Sequence, residues 1–571
     1  MTISKIQKLI NKKEILFILF ISIYYVLFVV PSNLNDDHGI IIISGIQTSE
    51  NNIPGIDFPY PHGLIPPLIL GFFIKITTIL GFEWQYAYIF LSLILFLLFV
   101  FEIKKILINL FNFNYSFGII SAGIISCSLL YPWGGYYHDY LSLLICLLTI
   151  NYLYFLISKY KSKNTNSKKA ILFEYIFLGI VLFVNPLFIK LSSIYLSFFI
   201  LITISLYIFY LPKKDYFKVL SLIFIGLILI PTFLIIFEQL NWIDLKLLIR
   251  NLYEPIFFAT DLNNYTILKL PTNRSFLIPF ISMGFISFMP LLNSNEKFNL
   301  YNTKLISRFI FLLFSYSYIS VWLRDQTWLI VLTLLLIINL FLEKISYKKV
   351  LKKNFYIVLS LLFIFNLGLF VRFKNLILYK KRFFNKELLD LKGTSISKFK
   401  LNKNTNYGLN EEVVETGKYI KKLIDSKEYH TYSFFDDNAF IIPLIIGYAP
   451  KQPFTFYQIN KTLFFNKSIN LSSKNIGNPD LIAICKSNDK INNSNYKLKY
   501  PNKLFFTSNL DKFSEDGRYF RIKSSEKEYK KAKLIFENQV KKYNKGYKTI
   551  FKNKKCLLKV KILPKFKNQE E

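Results

Sequence analysis

Apolar runs close to bilayer-crossing length recur through the first two-thirds of this chain. They constrain its fold more than any other feature. A helix needs about 20 predominantly apolar residues to span the hydrocarbon layer. The runs predict helices at 15–31, 85–102, 115–131, 139–157, 171–189, 192–211, 216–237, 276–292, 305–322, 327–343 and 354–371. Only helices and closed barrels satisfy their backbone in lipid. The expected class is a polytopic α-helical membrane protein with about 11 transmembrane helices. A hydrophobic content of 53% and a mean hydropathy of +0.34 agree, a pair of values that soluble chains rarely reach.

The formal charge of +35 raises nucleic acid as a partner. The lysines form no arm and no groove-reading motif. They gather between apolar runs and across the last two hundred residues. Positive-inside loops and a solvated basic surface account for them, so nucleic acid is not an expected partner. The basic loops 11–14, 102–105, 159–169, 212–215, 295–304 and 343–353 all fall on one side, which the positive-inside rule makes the cytoplasm. The start, MTISKIQKLINKKEI, runs into an apolar stretch with no small-residue cleavage site, so an uncleaved first helix with a cytoplasmic N-terminus is expected. The expected setting is a bacterial inner (plasma) membrane.

One segment tests this topology. GLIPPLILGFFIKITTIL, 63–80, is apolar but short, with Pro66 and Pro67 near its start and Lys75 inside. Were it to cross, the basic loops after it would move outside. A helix lying in the interface is therefore expected. That leaves a first external loop of about 32–84, with helical pieces near 36–50 and 64–80.

The outer face then collects the unusual residues. The first loop holds Asp36, Asp37, His38, Asp57 and His62, and the second is YPWGGYYHDY, with His138 and Asp139. Asn185, Pro186 and Lys190 follow, then Arg250 and Arg274 in 238–275, and Arg324 in WLRDQ. Residues 1–371 read as the transmembrane domain, and the polar, lysine-rich 372–571 as an extracytoplasmic mixed α/β domain. Within the latter, 411–426 has helical spacing. Outside the cytoplasm, Cys485 and Cys556 are able to form one disulfide. A Walker A loop, GxGxxG, CxxC and zinc spacing are all missing from the sequence, which argues against an ATP-driven or dinucleotide-dependent machine.

The stretch DDHGIIIISGIQTSENNIPGIDFPYPHGLIPPLI, 36–69, resembles the first external loop of GT-C fold membrane glycosyltransferases. The acidic pair is Asp36-Asp37, the turn PGIDFPY and the lead into the second helix PHGLIPP. GGYYHDY resembles the acid-bearing second loop of the oligosaccharyltransferase branch. NPLFIK, ending at Lys190, is similar to a lysine-bearing position of the protein-mannosyltransferase-like branch. Outside 36–69 the likeness is one of topology.

The resemblance implies an inverting transfer of a sugar from a polyprenyl-phosphate donor to an acceptor hydroxyl. The acceptor is a glycan, a lipid or a protein, and membrane lipid surrounds the enzyme. Asp36 is the implied base, with Asp37 positioning the acceptor or sharing the role. The competing reading for the pair is helix capping. His38, His138 and Asp139 are candidates for the acceptor side or for a divalent metal, Mg or Mn. Asp57 and His62 read as loop-structural. Arg324, Lys190, Arg250 and Arg274 are candidates for the donor phosphate; for Arg324 the alternatives are a pair with Asp325 or snorkelling to the interface. The rival functions are a transporter or flippase, or a polymerase, of lipid-linked glycans. Unlike transporters, the sequence carries no evident repeat.

Overall fold

The structure is a computed structural model. It describes residues 12–30, 36–54, 63–130, 135–161, 165–189, 213–241, 243–246, 274–288, 327–342, 349–377, 388–399, 411–435, 441–451, 479–485, 504–505, 522–524 and 546–562. Shorter described pieces are 56–58, 60, 197, 201, 248–249, 308, 311–312, 315 and 401.

The described helices, in chain order, are α1 (Lys12–Tyr24), α2 (Asp36–Ser49), α3 (Ile65–Ile79), α4 (Trp84–Phe111), α5 (Tyr115–Leu129), α6 (His138–Lys161) and α7 (Thr165–Val184). They continue with α8 (Lys213–Gln239), α9 (Arg274–Phe288), α10 (Thr327–Leu342), α11 (Lys349–Ile377), α12 (Glu411–Asp425) and α13 (Ile441–Ile446). π-helical turns extend α1 through Tyr25–Val29 and α7 through Asn185–Ile189. Nine of the expected spans coincide with helices; those at 192–211 and 305–322 lie largely outside the described residues. By length and composition, three described helices suffice to cross a membrane: Trp84–Phe111, His138–Leu156 and Phe217–Gln239. The apolar stretches of the remaining helices are only 10–17 residues long, so the described residues do not reach the expected count of eleven.

Chain contacts divide the molecule into two compact units. The first comprises residues 1–30, 89–245 and 265–384, and the second 31–88, 246–264 and 385–571. The first-loop segment thus belongs to the same compact unit as the C-terminal segment.

In the first unit α4 runs on past 102, where the sequence suggested a basic loop. Glu102 is buried there. Lys105, one turn later, pairs with it, and Asn151 of α6 donates to its carboxylate at 2.7 Å and to its carbonyl at 2.9 Å. A buried carboxylate persists in a helix when it is paired and hydrogen-bonded. The last carbonyls of α4 are also met: Arg308 donates to Leu110 O at 2.5 Å and Asn339 to Phe111 O at 3.3 Å. A cation at a helix C-terminus complements the macrodipole. The next helix starts cleanly, because Asn114 caps α5 by accepting from Phe117 N at 2.8 Å. Glycines set the other close approaches. Gly123 of α5 lies against Phe17 and Ile21 of α1, and Gly179 of α7 against Gly226 of α8. Small residues let helix backbones approach in this way.

In the second unit α2 and α3 pack as a pair. Gly45 sits under Leu70, and a Cβ on Gly71 would lie 2.9 Å from Gly45 O. α3 turns Pro66, Pro67, Leu70, Gly71 and Ile74 inward and leaves Phe72 and Ile79 exposed. Lys75 reaches Asn51 Oδ1 at 2.8 Å. The C-terminal segment carries a four-stranded sheet of order β1-β2-β6-β5, with β1 Tyr432–Phe435, β2 Leu481–Cys485, β5 Tyr547–Lys552 and β6 Cys556–Lys561. A separate pair joins β3 (Leu504–Phe505) to β4 (Ile522–Ser524). β1 and β2 are parallel and the remaining pairs of the larger sheet antiparallel. The central strand LIAIC is apolar on both faces, as a covered strand should be. Cys485 stands opposite Cys556 across β2 and β6, and the two form a disulfide. α12 turns Val413, Val414, Ile420 and Leu423 inward.

Candidate functional site

The second loop, in the first unit, has the best-defined geometry. Its backbone is held from several helices. Gly135 N donates to Tyr25 Oη at 2.9 Å, and Tyr136 N to Ser92 Oγ at 2.7 Å. Tyr140 Oη donates to Leu130 O at 3.0 Å, tying the loop to the end of α5. Tyr25 opens one π-helical turn and is stacked on Phe96 at 4.4 Å. π-helical turns are rare and often sit at functional sites.

His138 and Asp139 begin α6, and both are buried. His138 Nε2 lies 3.1 Å from Asp139 Oδ1. The Tyr137 ring stands 3.9 Å from the His138 ring, centroid to centroid. An acid in the first helical turn is favoured by the macrodipole. One turn further on, Ser142 Oγ donates to Asn185 Oδ1 at 2.8 Å, while Asn185 Nδ2 donates to Ser142 O and Cys146 Sγ, both at 3.3 Å. Asn185 opens the second π-helical turn, immediately before Pro186. The first residue of each π-helical turn thus makes a polar contact with the second loop or with the helix that follows it. Asn185 carries a sequence signal, an Asn-Pro inside an apolar run. Tyr25, Ser92 and Ser142 carry none.

In the second unit, Asp36 and Asp37 are the first two residues of α2, where the macrodipole favours negative charge. Their side chains lie outside what is described. His38 follows them and is buried, with its ring edge-on to Tyr88 at 6.3 Å. Ile40, Phe58 and Tyr60 form a buried cluster in the same unit. Asp57 is exposed, and its Oδ2 accepts from Ile53 N at 2.7 Å, closing the turn 53–57. His62, Lys190, Arg250 and Arg324 lie outside the described residues, and Arg274 is placed only as the first residue of α9.

Among the described residues no group of three or more His, Cys, Asp or Glu side chains comes together as a metal site. His138 and Asp139 provide two donors.

A comparison with solved structures finds similarity to the Archaeoglobus fulgidus oligosaccharyltransferase in complex with Zn and sulfate, at 11% identity and a TM-score of 0.40. The match covers 89% of this chain and 72% of that one. No family model matches, and no curated protein matches. At this distance no residue role passes from that enzyme to this chain.

Proposed function

We propose that this protein is a membrane glycosyltransferase that moves a sugar from a polyprenyl-phosphate donor to an acceptor hydroxyl on the extracytoplasmic face. The observation that carries the reading is the buried His138–Asp139 pair, with its loop tethered to Tyr25 and Ser92. Ionisable residues buried among apolar helices are costly and are functional by default. The likeness of 36–69 to a GT-C first loop adds the acid pair Asp36-Asp37.

The chemistry is a single displacement. The acceptor oxygen forms a bond to the anomeric carbon as the bond from that carbon to the phosphate oxygen breaks, with inversion. A carboxylate takes the hydroxyl proton in the transition state. Asp36 is the proposed base, with Asp37 beside it. Asp139, held against His138, has a role on the acceptor side. The leaving polyprenyl phosphate carries its charge away unaided by a general acid, and Arg324, Lys190, Arg250 and Arg274 are the proposed cations for it.

A donor labelled in its sugar, supplied to the purified protein in sealed liposomes, tests this reading. Transfer predicts label in a new glycosidic product with release of polyprenyl phosphate. Intact donor crossing the bilayer, with no new bond, would make the protein a flippase instead.

A further inference from the structure

The acid pair opens α2, and the residue after it leads by ring contacts into the C-terminal segment. His38 is fully buried and meets Tyr88 edge-on, at 6.3 Å and 89°. Tyr88 lies 6.1 Å from Phe399. Phe399 also stacks on Trp84 at 6.0 Å, with the rings 26° from parallel. All four rings are buried and belong to the second compact unit.

Phe399 is itself held firmly. Its N–H donates to Ile396 O at 2.9 Å. Just before it, Lys398 N donates to Gln85 Oε1 at 3.2 Å, and Gln85 Nε2 donates to Ser397 Oγ at 3.4 Å. Earlier in the same turn, Ser395 donates through its N–H to Ile445 O at 2.9 Å and through its hydroxyl to Ile446 O at 3.1 Å. Gly447, with φ +86°, lets α13 end against this turn; a Cβ there would lie 2.4 Å from Ser395 Oγ. The 394–399 turn is thus tied both to the start of α4 and to the end of α13. Close-packed aromatic rings transmit displacement, because an interior has no slack to absorb it.

We infer that Phe399 is a positioning residue for the acid pair: through Tyr88 and His38 it fixes the first turn of α2. The C-terminal segment is then part of the catalytic machinery without touching substrate. This rests on the reading of Asp36 and Asp37 as the base pair. A base must hold its reach to the attacking hydroxyl closely, since small misplacements cost rate.

The test uses the full-length protein with Phe399→Leu and Phe399→Tyr. Hydrogen exchange over residues 38–44 reads the order of the turn, and steady-state transfer from a polyprenyl-phosphate sugar reads its consequence. Phe399→Leu should speed exchange there by about tenfold. It should lower kcat by roughly tenfold with the donor KM within about twofold, as loss of transition-state alignment predicts. Phe399→Tyr, which keeps the ring, should restore both. Unchanged exchange over 38–44 overturns the inference, and so does faster exchange with an unchanged kcat. Failure of the underlying reading appears separately, as full transfer by an Asp36→Asn, Asp37→Asn double variant; the exchange result then decides alone whether Phe399 orders this turn.

Discussion

Gly179 and Gly226 meet where α7 crosses α8, so closely that a Cβ added to either would lie 2.9 Å from the other's Cα. The nearest obstacles are backbone carbonyls: Ile223 O would be 2.2 Å from a Cβ at 179, and Ile176 O 2.1 Å from one at 226. Backbone does not move aside as a flexible side chain does. Gly179→Ala or Gly226→Ala should destabilise the detergent-solubilised protein by about 1–3 kcal/mol, the usual cost of overpacking. Gly368→Ala in α11, where a Cβ meets open space, is the matched control and should cost nothing. Equal melting temperatures for all three variants would contradict this crossing.

The tether between Tyr25 and Gly135 makes a second prediction. Tyr25→Phe removes the acceptor of Gly135 N–H and leaves that buried donor without this partner, a loss of about 1–3 kcal/mol. Sugar transfer should fall by roughly tenfold as the second loop loses its register. Wild-type transfer in this variant would mean that the tether does not serve the site.

Reducing the Cys485–Cys556 disulfide, or replacing Cys556 with serine, should destabilise the C-terminal sheet. The bond closes 71 residues of chain and crosses between β2 and β6. Such links contribute about 2–4 kcal/mol. Limited proteolysis with and without reductant reads the effect, and identical digestion rates would refute it.

Asp480 gives the sheet an acid-sensitive joint. Its Oδ2 accepts from His430 N at 3.0 Å, and from Thr431 N and Thr431 Oγ1, both at 2.9 Å. Burial alone would raise its pKa, but these hydrogen bonds and the nearby His430 together hold it below the ordinary 3.8. A depressed carboxylate stabilises the fold above its unfolded-chain value, and that stability is lost as pH falls through the lower folded value. Glu50 has the opposite sign. Burial lifts its pKa, against the lowering effect of the Ala449 N–H, so its contribution improves as pH falls toward the ordinary 4.5. Asp480→Asn should flatten the loss of stability below about pH 4. An unchanged acid limb in unfolding experiments would exclude Asp480 as the cause.

Some of this architecture is legible from local pattern. The 3.6-residue spacing of 411–426 gives α12, and the short apolar run in NPDLIAIC gives β2. Pro66 and Pro67 mark the start of α3, and the helical piece expected near 36–50 is α2. What local pattern misses are relationships between distant segments. Nothing near Glu102 announces that Asn151, 49 residues on, will help keep it inside a continuing helix. Likewise Phe399 and Tyr88 lie far apart in sequence, so no periodicity records their contact. The π-helical turns are hidden for a different reason: one extra residue in a helical turn leaves the apolar composition unchanged. Residue type draws attention to His138 and Asp139, which the structure buries side by side, whereas Tyr25 and Ser92 look like any hydroxyl in an apolar run.

In the proposed mechanism the carboxylates opening α2 take the acceptor proton. The direct measurement is transfer of radiolabelled sugar from polyprenyl phosphate by membranes carrying Asp36→Asn, Asp37→Asn or both, at matched protein levels. Transfer should fall about 100-fold or more for the base and less for its neighbour. Wild-type transfer by the double variant would contradict this mechanism.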